Sequence, residues 1–196
     1  MSIYLKNIFV MSLFLLCLGN LNTVAGQEAF SSLTFGINVL RNEPDNNFNR
    51  YWKPKMGIEG RFETPFYFGD IQAGGLILPF KSKSIAQPDF NSYFLFLGWG
   101  KKVNLPLKLF FFSSVKTGSF IMTFNVDSLS STQQVESELC LSLKAGLGIN
   151  LFSSFQAYAG IEAFRVFTRH KMSFILFSGG LTYTFATPVW LKDFLE

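Results

Sequence analysis

Residues 134–167 read QVESELCLSLKAGLGINLFSSFQAYAGIEAFRVF, and the reading of this stretch decides the fold. In its first half Val135, Leu139, Leu141, Leu143, Ala145, Leu147 and Ile149 alternate with Glu136, Glu138, Cys140, Ser142, Lys144, Gly146 and Gly148. Successive side chains of a strand point to opposite faces, so the pattern is a strand with one apolar face and one charged or small face. After the turn at Phe152-Ser153-Ser154, Phe155, Ala157, Ala159, Ile161 and Ala163 alternate with Gln156, Tyr158, Gly160 and Glu162. A first strand of about fifteen residues is long beside the ~5–6 usual in soluble proteins. It suits a tilted strand that crosses a bilayer, which needs roughly 9–11 residues for the hydrocarbon alone. The stretch predicts a transmembrane β-hairpin.

Composition points the same way. Aromatic residues make up 17% of the chain, 25 of them phenylalanine, while charged residues are only 15%, against about 25% in soluble domains. Yet no uninterrupted apolar run after the N-terminal segment approaches the ~18 residues of a spanning helix. An apolar, exported chain without spanning helices has one common solution, the closed barrel. Export is expected from the first residues: Lys6 gives a positive region, Ile8 to Leu18 is mostly apolar, and Val24-Ala25-Gly26 offers a small-residue cleavage site before Gln27. Residues 1–26 are therefore expected to be a signal peptide, 27–185 the barrel, and 186–196 a periplasmic or interfacial tail. Beyond Cys17, which lies inside the signal, Cys140 is the only cysteine, so no internal disulfide framework is possible. The formal net charge of +4 is too mild to argue for nucleic acid.

Alternation places eight strands. Leu33 to Val39 forms the first, followed by a polar loop from Arg41 to about Lys53. The second carries Met56, Ile58, Gly60 and Phe62 against Gly57, Glu59, Arg61 and Glu63. The third runs from Ile71 to about Leu78, ended by Pro79; the fourth covers Ser92 to Lys101. The fifth, Leu107 to about Phe120, has the least defined register because Phe110, Phe111 and Phe112 are consecutive. The opening hairpin supplies the sixth and seventh. The eighth alternates Ile175, Phe177, Gly179, Leu181, Tyr183 and Phe185 against Leu176, Ser178, Gly180, Thr182 and Thr184. Longer polar connections follow the first, third and fifth strands, and short turns follow the second, fourth and sixth. Outer-membrane barrels have this asymmetry, with short periplasmic turns and longer outer loops. Aromatics expected in the two headgroup zones are Tyr51, Trp52 and Tyr93 at the outer end, with Tyr67, Trp99, Tyr158 and Tyr183 at the periplasmic end; Trp190 belongs to the tail. There Thr187 is expected to cap a short helix with Pro188 at its first position.

The expected fold is an eight-stranded antiparallel up-and-down transmembrane β-barrel. It resembles the small eight-stranded outer-membrane barrels of Gram-negative bacteria, the group that includes the OmpA transmembrane domain and the OmpX and OmpW types. The resemblance covers roughly Phe30 to Phe185. Besides the architecture, it rests on the closing strand Gly180-Leu181-Thr182-Tyr183-Thr184-Phe185, which looks like the aromatic-alternating signal read by the barrel assembly machinery. It implies a monomer in the outer membrane, surrounded by outer-membrane lipids and lipopolysaccharide.

Charged positions on the inward face are Glu59, Arg61, Glu63, Glu136, Glu138, Lys144 and Glu162. An eight-stranded barrel is just wide enough for side chains to fill it, and charges there are tolerable when paired. The expectation is a filled polar lumen held by salt bridges. Outer connections hold Arg41, Arg50, Lys53, Lys55, Lys81, Lys83, Arg169 and Lys171, residue types that bind lipopolysaccharide phosphates well. No phosphate loop, metal-spaced His/Cys cluster or nucleophile elbow appears, so neither a metal nor a cofactor is expected. The functional expectation is a structural, protective or surface-interaction role without catalysis. Two rivals are a small solute channel and a lipid A-modifying enzyme. His170, the only histidine, is the only candidate imidazole base for the second. The lipid A deacylase family places its His and Ser two apart, whereas Ser173 lies three after His170.

Overall fold

In the computed structural model the described residues are 28–42, 52–83, 88–125, 135–168, 172–190 and 192. They form nine strands: β1 (Ser32–Asn42), β2 (Trp52–Pro54), β3 (Gly57–Phe66), β4 (Gly69–Ser82), β5 (Phe90–Asn104), β6 (Leu109–Phe124), β7 (Val135–Asn150), β8 (Phe155–Val166) and β9 (Met172–Ala186). All pair antiparallel in the order β2-β4-β3-β1-β9-β8-β7-β6-β5, and β4 also pairs with β5, so the sheet closes on itself. Closure pairs each of the long strands on both sides from within the chain, as a bilayer demands, while the short β2 pairs with β4 alone.

The count of nine hides eight barrel strands. β2 and β3 lie end to end against β4, with Trp52 opposite Ser82 and Ile58 opposite Ile77. The break at Lys55-Met56 has a reason on the neighbouring strand. Pro79 lacks an N–H to donate, and the wall accommodates it where the ladder slips by one residue. There the Lys55 N–H donates to the Pro79 carbonyl at 2.8 Å. Pro79 therefore does not end its strand, as expected from sequence; β4 continues to Ser82. The first loop is likewise shorter than expected, since Arg41 and Asn42 lie in β1 and strand resumes at Trp52.

The register fixes the barrel's shape. Stepping between paired residues, Thr34–Glu63–Gln72–Gly98–Lys116–Ser142–Phe164–Phe174, the path reaches β9 two residues past Leu176, the partner of Asn42. It thus rejoins the line of β1 ten positions beyond Thr34. Strands staggered in this way tilt by roughly 35–45° and leave an interior that side chains fill.

Alternation then sorts residues by face. Ile37, Val39, Phe62, Leu95, Leu97, Leu143, Leu147, Phe177 and Leu181 point outward and are exposed. Their strand neighbours Asn38, Glu59, Arg61, Phe94, Phe96, Lys144, Ser178 and Thr182 are buried inside. For β6 the structure gives the register that three consecutive phenylalanines obscured: Phe110 and Phe112 are buried within the barrel, and Phe111 sits between them on the other face.

Long connections join strand ends on one side, at 43–51, 83–89, 125–134 and 167–171, and short turns lie on the other. At the turn between β5 and β6 both Leu107 and Lys108 adopt left-handed backbone, φ 61° and 62°, and Tyr67 does so between β3 and β4 at 53°. Such conformations cost on the order of 1 kcal/mol or more for each non-glycine residue. The tail makes one helical turn in which the Lys192 N–H donates to the Pro188 carbonyl at 3.1 Å. Thr187 does not cap it: its hydroxyl is buried without a hydrogen-bond partner, while its N–H reaches the Ser31 carbonyl. The Lys192 ammonium donates to Glu28, tying the tail to the start of the described chain and holding the Glu28 carboxyl below its usual pKa.

Candidate functional site

The lumen is the place where this fold concentrates chemistry, and it divides into two halves. At mid-height lies a charge cluster. Lys116 Nζ donates to Glu59 Oε2 and to Glu162 Oε1, each at 2.9 Å. Lys144 Nζ stands 3.4 Å from Glu59 Oε1 and 3.5 Å from Glu162 Oε2. Two ammonium groups and two carboxylates thus form a closed quartet. Ser142 Oγ donates to Glu162 at 2.7 Å and Asn38 Nδ2 to Glu59 at 2.7 Å.

Toward the short turns the network continues. The Arg61 guanidinium pairs with Glu63 through Nε, reaches Glu59 at 3.4 Å, and donates to the Tyr158 hydroxyl. Gln72 adds a 3.3 Å bond to Glu63. Three carboxylates therefore face three cations, and the set is formally neutral. Neutrality is what permits it, because an unpaired charge in such an interior costs several kcal/mol. Aromatic faces complete the cage: Lys116 lies 4.5 Å from the Phe96 ring centre and Arg61 4.7 Å from that of Tyr158. Below this, Lys102 donates to Gln156 at 2.8 Å over the Phe110 ring. A cavity of about 20 Å³ opens there beside Arg61, Glu63, Gln72 and Tyr158, enough for water but not for a sugar or a lipid headgroup.

The half toward the long connections is apolar. Leu40, Leu76, Leu78, Phe80, Phe90, Phe94, Phe120, Met122, Cys140, Phe164, Val166, Phe174 and Leu176 form one buried cluster inside the barrel. Phe164 and Phe174 stack at 4.9 Å, Phe80 and Phe90 at 4.5 Å, and Phe94 meets Phe164 edge-on at 5.8 Å. The expected filled polar lumen is thereby corrected: the charged network fills only the half near the short turns, and in the other half the buried Ser92 donates its hydroxyl to the Leu78 carbonyl at 2.8 Å among apolar side chains.

Individual expectations fare differently. Glu59, Arg61, Glu63, Lys144 and Glu162 come together as described. Glu136 and Glu138 do not join them. Both keep the inward parity of β7 but sit at its far end, where Glu136 is exposed and Glu138 half-buried. Tyr158 is not an interfacial aromatic; it is 7% exposed and belongs to the network. Trp52 also turns inward, packing edge-on against Phe90 at 5.6 Å and donating Nε1–H to the Pro88 carbonyl. Tyr67, Tyr93, Trp99, Tyr183 and Trp190 are exposed. Lys53, Lys55, Lys81 and Lys83 are exposed at the end of the long connections, with Lys53 and Lys81 in direct register. Arg50, Tyr51, Arg169, His170, Lys171 and the expected signal peptide lie outside the described residues.

The sequence reading missed Lys116, the central cation. Its signal was available in the alternation Ser114, Lys116, Gly118, Phe120, once Phe110 and Phe112 are assigned to the inside.

With this geometry the molecule has the architecture of the small outer-membrane barrels: eight antiparallel strands, closed, with an apolar exterior. Solved structures agree. The Neisserial surface protein A structure matches with a TM-score of 0.59 at 9% identity, covering 81% of this chain and 100% of that one. The N-terminal β-barrel domain of Pseudomonas aeruginosa OprF matches with a TM-score of 0.55 at 12% identity, with the same coverage. At such identities the likeness is one of fold. No family model matches the sequence, and no curated protein matches it.

Proposed function

We propose that this is an outer-membrane barrel with a structural, protective or surface-interaction role, acting through its exterior and its outer loops rather than through its lumen. The observation that carries this reading is the apolar plug. Phe80, Phe90, Phe94, Phe120, Phe164 and Phe174 are each at most 2% exposed and fill the cross-section above the charge quartet. A solute path needs continuous water, and this stretch is apolar apart from the Ser92 hydroxyl, which is bonded to the Leu78 carbonyl. The same filling leaves no space for a substrate, which supports a non-catalytic role. Around the outside, the exposed Lys53, Lys55, Lys81 and Lys83 favour contact with lipopolysaccharide phosphates.

The test is reconstitution. The refolded protein is expected to migrate faster unboiled than boiled and to give no single-channel steps in a planar bilayer. Discrete conductance from the folded form would refute the closed-lumen reading, and recovery as a soluble periplasmic monomer would refute the membrane reading.

A further inference from the structure

Between polar flanks such as Asn104, Ser153 and Ser154, the short turns of the barrel carry large exposed apolar side chains at their tips, where a water-facing turn is ordinarily polar. Tyr67 and Phe68 form the tip between β3 and β4, Leu107 that between β5 and β6, and Phe152 that between β7 and β8. Val189 and Trp190 occupy the tail's helical turn at the same end. Exposures are large: 87% for Leu107, 73% for Phe152 and 71% for Trp190. The outer connections of the same chain contrast with this, carrying Asp45, Asn46 and Asn47 in one and Ser128, Ser130 and Ser131 in another.

Backbone strain makes the choice of residue more pointed. Leu107 sits at φ 61°, a conformation that glycine or asparagine adopts at little cost. A bulky side chain there gains nothing from the protein, since nearly all of its surface is bare. Tyr67 repeats the pattern at φ 53°. Two tips thus combine unfavourable backbone with a large side chain left mostly exposed, 87% for Leu107 and 57% for Tyr67, whose ring meets that of Phe66 edge-on. The strands that follow Leu107 and Phe152 begin with Leu109 and Phe155, exposed residues of the barrel's apolar outer face. The tips therefore prolong the lipid-facing wall rather than interrupt it. Lys108, beside Leu107 and exposed, supplies a cation that reaches headgroup phosphates while its stem stays in apolar surroundings.

We infer that the short-turn rim is itself a membrane-binding surface: the three turns and the tail are immersed in the phospholipid leaflet at that end instead of projecting into water. The occupant is lipid, at the depth where chains meet anionic headgroups, because the rim is continuous with the bilayer-facing wall and its cation lies beside its most exposed leucine. The barrel then ends within the leaflet, and its charge network opens at headgroup level. This inference rests on the membrane reading above.

Nitroxide labels at positions 107 and 152, in a background with both cysteines replaced by serine, test it in phosphatidylglycerol-containing vesicles. A label at Leu143, an outward mid-strand position, is the reference. Molecular oxygen is expected to relax all three labels more strongly than a water-soluble nickel chelate. If 107 and 152 respond mainly to nickel while 143 responds to oxygen, the turns face water or a soluble partner, and the inference is wrong. If 143 also responds to nickel, the membrane reading itself fails. Leu107→Gly gives a second readout through its sign. In water it relieves strain and raises the urea midpoint; in lipid it removes apolar burial. A lowered midpoint is expected, and an unchanged or raised one overturns the inference.

Discussion

The two halves of the lumen solve one problem, filling a cylinder of fixed width, by opposite means. Near the short turns the filling is ionic and directional: every carboxylate of the cluster has named partners at 2.7–3.5 Å. Near the long connections it is apolar, and volume matters more than direction. The ionic half should therefore fail when one partner is removed and tolerate little substitution. The apolar half should lose stability with volume yet accept exchanges that conserve it, which usually cost less than about 1.5 kcal/mol.

Lys116→Met is expected to have the largest effect. It removes the cation shared by Glu59 and Glu162 and leaves two buried carboxylates facing Lys144. Breaking a buried pair from one side costs roughly 3–5 kcal/mol, read as a drop in the urea midpoint of the vesicle-inserted barrel. Adding Glu162→Gln should recover part of the loss, since residues in one network couple by about 0.5–3 kcal/mol. Strict additivity in that double variant would mean that the quartet is not a unit.

In the other half, Phe174→Ala opens a cavity among Phe80, Phe120 and Phe164 and is expected to cost about 3 kcal/mol. Phe174→Leu should cost far less. A Leu variant as damaged as the Ala variant would show that ring stacking, not volume, organises the plug. The wall between the halves gives a smaller effect. At Gly118 an added Cβ would lie 1.9 Å from the Leu95 carbonyl oxygen, a backbone atom that cannot swing aside. Gly118→Ala should therefore cost about 1–3 kcal/mol through overpacking, while Gly60→Ala, whose Cβ meets nothing within 4 Å, should stay within about 0.5 kcal/mol.

How far the sequence revealed this division is itself physical. Alternation is a local property, so the barrel, its closure and the in-or-out sense of Glu59, Lys144 and Glu162 were legible. Height along the axis is set by stagger between strands that are distant in sequence, and it was not legible. Tyr158 was expected at a membrane interface for this reason. Nothing in β8 alone says that its inward face meets Arg61, 97 positions earlier in the chain. The apolar plug escaped for the same cause: Leu76, Phe94, Phe120, Phe164 and Phe174 come from five strands, and only the register gathers them into one cluster. Trp52 reads as a girdle residue from its own segment, because the slip at Lys55-Met56 that sets its direction answers Pro79 on the neighbouring strand.

Glu138→Gln is expected to have the smallest effect, and it isolates height as the deciding variable. Glu138, Cys140, Ser142 and Lys144 share one face of β7, so alternation alone gives all four the same environment. The structure instead separates them: Glu138 is half-buried at the end of the long connections, Cys140 is in the plug, Lys144 is in the quartet and Ser142 donates to it. β7 pairs with β8 only from Cys140 onward, so Glu138 stands where the wall is no longer closed on that side and water reaches it. A carboxylate there keeps its hydration and loses little when neutralised, within about 0.5 kcal/mol. Glu59→Gln makes the identical chemical change inside the network, where Lys116, Lys144 and Arg61 all approach the lost charge, and should cost several times more. Equal midpoints for the two variants in urea would mean that Glu138 is drawn into the lumen after all, and that the boundary between the halves lies above Cys140 rather than below it.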